Sequence, residues 1–132
     1  KDLDKPEYTI VTKLGVTGEI ATRKFFKKAK IVTFETESDA TSEVLNGKAD
    51  AMVYDQPYNV LFMSDKGKDK LVHLSTPLTY EPLGWAIRKG DPDFLNWLNN
   101  FLKQSQEDKV VGFSDELYQK WLVDTDWLQR VQ

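Results

Sequence analysis

Two short stretches of this 132-residue chain carry residue types that could do chemistry. The first is Gly15-Val16-Thr17-Gly18-Glu19, a glycine-flanked turn after a β-type run and before a helical one. A helix start presents amide N–H groups with no intrahelical partner, and its dipole favours negative charge, so such a turn suits a carboxylate. Thr17 adds a hydroxyl donor, and the glycines allow a ligand to approach the backbone closely. The second stretch ends at Asp55, which closes the run Asp50-Ala51-Met52-Val53-Tyr54. An acid at the carboxyl end of a strand is placed to meet an ammonium group. Each residue also has a plainer use: Thr17 would cap its helix, and Asp55 would cap the helix that Gln56-Pro57 opens. As a pair, donors for a carboxylate and an acceptor for an ammonium match the two ends of a zwitterion.

Other chemistry is poorly supported. His73 is the only histidine, and it sits in a short apolar run with no Asp, Glu or Ser at triad spacing, so no catalytic residue is expected. Glu35 and Glu37 lie in a polar loop and are expected to face solvent, and no metal-ligand spacing or cofactor motif is present. With no cysteine, disulfides and thiol nucleophiles are excluded. The net charge of −3, with both signs interspersed, argues against a nucleic-acid partner. The basic cluster Arg23, Lys24, Lys27, Lys28 and Lys30 has the spacing of the wet face of an amphipathic helix. No apolar run approaches the roughly 20 residues that span a bilayer.

The elements that must position the two stretches alternate between β-type and helix-type runs, the pattern of βαβ units with a mainly parallel sheet flanked by helices. Expected strands are Tyr8–Thr12, Ile31–Phe34, Asp50–Tyr54, Leu71–Leu74 and Leu83–Arg88. Expected helices are Glu19–Ala29, with Ile20, Phe25 and Phe26 as its apolar points; Asp39–Leu45, capped by Ser38 and stopped at Asn46-Gly47; and one opening at Gln56-Pro57. At Lys89-Gly90-Asp91-Pro92 the chain changes character. Asp91 and Pro92 start a helix with Phe94, Leu95, Leu98, Phe101 and Leu102 on one stripe, and a second helical run, Asp115–Leu122, follows. The expected division is residues 1–90 as one α/β domain and 91–132 as appended helices.

Four segments, in order, resemble one family: Val11-Thr12-Lys13-Leu14-Gly15-Val16-Thr17-Gly18-Glu19, then Asn46-Gly47-Lys48-Ala49-Asp50-Ala51-Met52-Val53-Tyr54-Asp55, then Pro82-Leu83-Gly84-Trp85-Ala86-Ile87-Arg88-Lys89-Gly90-Asp91, and finally Lys120-Trp121. The chain is similar to the second lobe and C-terminal tail of the polar amino-acid-binding periplasmic proteins, bacterial extracellular solute-binding family 3. The resemblance implies a Rossmann-like open sheet, one lobe of a type II periplasmic-binding-protein fold. It also implies that the turn Gly15, Val16, Thr17, Gly18 holds the α-carboxylate of an amino acid and that Asp55 holds its α-ammonium. Val16 stands where the family usually has threonine, which removes a hydroxyl but keeps an N–H.

The same resemblance implies a periplasmic or otherwise extracytoplasmic location and an ABC-type uptake system. Its partners would be a small zwitterion, a membrane permease, and a first lobe that supplies the rest of the ligand clamp. A sensor role, as the extracellular domain of a receptor or histidine kinase, is the alternative in a different class. Because the helices after Asp91 resemble those that return to the first lobe, this chain alone is expected to bind ligand weakly and to cover its apolar surface by self-association or domain swapping. Sedimentation should show concentration-dependent assembly; a clean monomer over a wide concentration range would contradict it.

Overall fold

Ile10, Val11 and Thr12 are almost wholly removed from solvent, at 0%, 1% and 0% exposure, because their strand is central and covered on both faces. The computed structural model of the chain describes residues 2–74, 76–107, 116–117 and 120–121. Strand β1 (Thr9–Lys13) pairs in parallel with β2 (Lys30–Phe34) and with β3 (Ala51–Met52), giving the strand order β2-β1-β3. The register sets Val11 beside Val32 and Met52, and Ile10 beside Ile31 and Ala51. Such a strand reads as a continuous run of β-branched residues rather than an alternating one.

Helix α1 (Thr17–Phe25) joins β1 to β2, and α2 (Glu37–Leu45) joins β2 to β3. Side chains alternate across a sheet. Val11 packs with Ala40 and Ala49, ringed by Val32, Phe34, Val44 and Met52, so α2 covers that face. Thr12 lies on the other face, next to Gly18 of α1. Small residues do the close packing: Ala21 and Thr22 of α1 and Ala40 and Thr41 of α2 are the buried positions of their helices.

Helix α3 (Gln56–Ser64) is tied to α2 through a hydroxyl pair. Thr41 gives its one proton to the Glu37 carbonyl, so the Tyr58 hydroxyl, 3.1 Å away, donates to Thr41 Oγ1. The chain divides into two compact units, Lys1–Tyr80 and Glu81–Gln132. In the second, α4 (Pro92–Glu107) opens with the Phe94 amide donating to Asp91 Oδ1 at 2.9 Å, the cap expected from Asp91-Pro92. Phe94, Trp97 and Phe101 stack along this helix, each 40–61% exposed. Among the described residues no helix is long and apolar enough to cross a membrane.

Several boundaries differ from expectation. The first helix runs over Thr17–Phe25, not Glu19–Ala29, because the Asp4 carboxylate accepts from the amides of Lys27, Lys28 and Ala29 and turns the chain out of the helix. Its expected apolar points Ile20 and Phe25 are exposed, at 71% and 45%. The second helix starts at Glu37 with Thr36, not Ser38, as its cap; Thr36 Oγ1 accepts from the Asp39 amide and donates to Asp39 Oδ2. The third strand is Ala51–Met52 rather than Asp50–Tyr54, although flanking bonds from Asp50 N to Thr9 O and from Val53 N to Val11 O extend the contact.

The expected strands Leu71–Leu74 and Leu83–Arg88 are irregular. Val72, Leu74, Leu83 and Trp85 are 86%, 73%, 98% and 63% exposed, and β-type composition makes a strand only where a neighbouring ladder and a covered face exist. The second C-terminal helix falls largely outside the described residues.

Two measurements check this packing. Ile10→Ala should cost about 2–5 kcal/mol in urea denaturation and Ile10→Val about 0.5–1.5 kcal/mol. Hydrogen bonds from the Lys28 amide first, with Ala29 and Lys27 amides adding, hold the Asp4 pKa below its ordinary value. A depressed folded pKa contributes stability above the unfolded value and loses it as pH falls through the folded one. Asp4→Asn should therefore lower the thermal midpoint at pH 7, and the gap to wild type should close below about pH 4.

Candidate functional site

The chain moves outward from β1 to β2 and then back past β1 to β3, so the strand order reverses between β1 and β3. In open α/β sheets a crevice opens beyond the carboxyl ends of the strands at such a reversal. The loops that leave β1 and β3 there are 14–16 and 53–55. The structure therefore brings the two sequence-selected stretches to neighbouring strand ends, on strands about 4.8 Å apart. Their proximity is direct at one point: a Cβ built on Gly18 would lie 3.5 Å from the Val53 carbonyl oxygen and 3.5 Å from Thr12 Oγ1.

The turn starts α1 in an unusual way. Gly15 sits at φ 77°, a left-handed conformation that favours glycine. Val16, not Thr17, is the N-cap, and a valine side chain offers no cap hydrogen bond. Ser, Thr, Asp or Asn at this position ordinarily contributes about 0.5–2 kcal/mol. The first helical bonds come from Glu19 and Ile20 to the Val16 carbonyl, so the Thr17 and Gly18 amides precede the intrahelical ladder. Beneath them Thr12 Oγ1 is fully buried and, among the described residues, has no hydrogen-bond partner. A helix start without a capping side chain, over an orphaned hydroxyl, is a place where local rules of stability are broken.

Asp55 is the N-cap residue of α3, with Pro57 in its first turn, yet its side chain makes no cap bond. The turn is held by other groups: the Asn59 amide donates to the Asp55 carbonyl at 3.1 Å, and Asn59 Nδ2 donates to the Tyr54 carbonyl at 2.9 Å. The Asp55 carboxylate is exposed.

Sequence reasoning missed the other charges on this edge. Lys13, the last residue of β1, donates to Glu37 at 2.7 Å, with each side chain about a third exposed; Glu37 is thus an ion-pair partner rather than a solvent-facing loop residue. That bond raises the Lys13 pKa, with the nearby Tyr54 adding, and lowers that of Glu37. Tyr54 meets Tyr58 edge-on at 5.2 Å. Glu19 accepts from the Gly15 amide at 2.8 Å and from Arg23 Nε at 2.9 Å, which together hold its carboxyl below the usual range. A parallel register set by Val11 and Val32 places Lys13 opposite Phe34, three residues before Glu37, and that offset was the available signal. Arg23, Lys24, Lys27, Lys28 and Lys30 are exposed, and among the described residues no group of His, Asp or Glu converges as a metal site.

Comparison with known proteins gives relatives of the same kind by a separate route. No family model matches the chain. It is 30% identical over 113 residues to the ABC transporter glutamine-binding protein GlnH of Bacillus subtilis, covering 83% of this chain and 39% of that protein. Among solved structures, a binding component of an ABC transporter from Wolinella succinogenes, complexed with lysine, is 62% identical with a TM-score of 0.79, covering 97% of this chain and 54% of that one. The ancestral amino acid-binding protein AncCDT-1, a precursor of cyclohexadienyl dehydratase, is 45% identical with a TM-score of 0.62, covering 92% of this chain and 49% of that one. The chain thus spans about half the length, or less, of the proteins it matches, all three named as binding proteins. With its motifs in order on a parallel α/β sheet, the chain is similar over most of its length to amino-acid-binding components of ABC transporters, in keeping with its resemblance to bacterial extracellular solute-binding family 3.

Proposed function

We propose that this chain forms one wall of the ligand cleft in the substrate-binding component of an ABC-type amino-acid uptake system. Residues 1–90 would be the second lobe and residues 91–132 the helices that return toward a first lobe. The α-carboxylate of the ligand takes the amides of Val16, Thr17 and Gly18 with the Thr17 hydroxyl, Gly15 shapes the turn with its own amide held by Glu19, and Asp55 takes the α-ammonium. Hinge closure of a first lobe completes the clamp, and a membrane permease reads the closed form outside the cytoplasm.

One observation carries the reading. Of the acids that follow β1 and β3, the strands at the reversal, Glu19 is matched by Arg23, while among the described residues the Asp55 side chain makes no hydrogen bond or ion pair; Glu35 and Glu37 follow the outer strand β2, and Glu37 is matched by Lys13. An acid left unmatched beside a helix start without a capping side chain is complementary to an amino acid's two charged ends. Charge-assisted hydrogen bonds of this kind are the strong ones.

Binding rather than catalysis is the role proposed, although AncCDT-1 stands at the origin of a dehydratase. His73 is only half-buried and, among the described residues, has no hydrogen bond or ion pair that could orient it as a general acid or base. L-Lysine is the first ligand to try, because the Wolinella succinogenes protein holds it.

With half of the clamp elsewhere, the isolated chain should bind L-lysine with a dissociation constant on the order of 1 mM or weaker. Nitrogen-15 spectra during an L-lysine titration should show saturable shifts centred on Gly15–Gly18 and Asp55. Asp55→Asn should weaken binding about tenfold or more, since it removes a charged partner. Shifts centred elsewhere, or an Asp55→Asn variant that binds as wild type, would overturn the reading.

A further inference from the structure

Glu19 contributes nothing to the core, yet its carboxylate sits within the turn. One oxygen accepts from the Gly15 amide at 2.8 Å, and the other meets Arg23 Nε and Nη2, each at 2.9 Å. Its side chain is only 16% exposed, although α1 is a surface helix. A glutamate at the third helical position ordinarily reaches back to the N-cap amide. Here it reaches one residue further, past Val16, to a glycine held in the left-handed region. Val16 cannot fix the turn from within, so Glu19 fixes it from the helix side, and it does so without using the Gly18 amide.

We propose that Glu19, braced by Arg23, is a positioning residue that holds the Gly15–Gly18 turn in its carboxylate-receptive shape by accepting the Gly15 N–H. The inference rests on that turn being the carboxylate site. The hydrogen bond, not the charge, carries the role: a bare negative charge here would repel the ligand's carboxylate, and the Arg23 guanidinium offsets it. The device also accounts for a valine at the N-cap. A hydroxyl there would bond the second or third amide of the helix, the Gly18 amide among them. With an external brace, the turn keeps its shape without a cap hydroxyl taking the Gly18 amide. Pre-organisation of this kind raises affinity by lowering the ordering cost of binding.

The two components of Glu19 separate by substitution. Glu19→Gln keeps an acceptor oxygen at the same reach and removes the charge; Glu19→Ala removes both. In L-lysine titrations followed by nitrogen-15 spectra, Glu19→Ala should weaken binding by roughly three- to tenfold, and Glu19→Gln should stay within about twofold of wild type. If Glu19→Ala does not fold, Glu19→Asp, one methylene shorter, carries the same comparison and should weaken binding likewise. Wild-type affinity in Glu19→Ala or Glu19→Asp, or a Glu19→Gln as weak as Glu19→Ala, would overturn the inference alone, provided the wild-type chain binds. A wild-type chain with no saturable shift at the turn would overturn the functional reading, and this inference with it.

Discussion

The structure depends on one constraint: β1 must satisfy a parallel ladder on both edges while both of its faces are covered. Pairing with β2 on one side and β3 on the other meets the first condition, and α1 and α2 on opposite faces meet the second. A chain that does this has to reverse its direction of travel across the sheet, which leaves the carboxyl ends of β1 and β3 side by side with no helix between them. The position of the crevice follows from strand order before any polar residue is considered. Side chains of Ile10 and Val11, each worth roughly 1.5–3 kcal/mol when fully buried, hold that order in place.

Chemistry at this edge follows from which charges are matched internally. Lys13 with Glu37, and Arg23 with Glu19, are partly exposed pairs whose contribution to stability is small in water. Their effect is local neutrality: each pair removes one acid that would otherwise attract an ammonium non-specifically. Among the described residues Asp55 keeps an open carboxylate beside the β1–β3 reversal, and the amides at the head of α1 are left without a capping side chain at Val16. Stability forgone at Val16 and at the orphaned Thr12 hydroxyl is concentrated in the same few residues.

The sequence made much of this visible, and the failures have physical causes. Strands β1 and β2, the stop of α2 at Asn46-Gly47, and the starts of α3 and α4 rest on local chemistry: β-branched runs, a left-handed Gly47, and Asp-Pro or Gln-Pro starts. The turn and Asp55 were legible as candidates because each sits at the end of an apolar run. By contrast, Leu71–Leu74 and Leu83–Arg88 have strand composition without the sheet neighbour that would make them strands, and composition does not encode neighbours. The Thr36 cap was available in the Thr-x-x-Asp spacing, but Ser38 sits closer to the apolar periodicity and masked it. Lys13–Glu37 joins residues 24 apart in sequence and needs the β1–β2 register before it can be seen.

The central claim is that the head of α1 and the end of β3 share one crevice. The chain has no cysteine, so a Thr17→Cys, Asp55→Cys double variant carries only two thiols. Treatment at high dilution with a short homobifunctional thiol reagent measures their separation directly. The account predicts a rapid intramolecular cross-link, slowed by saturating L-lysine only as far as the substituted site still binds it. Mono-adducts alone, or cross-links only between chains, would put the amide turn and the acid on different parts of the molecule and contradict it.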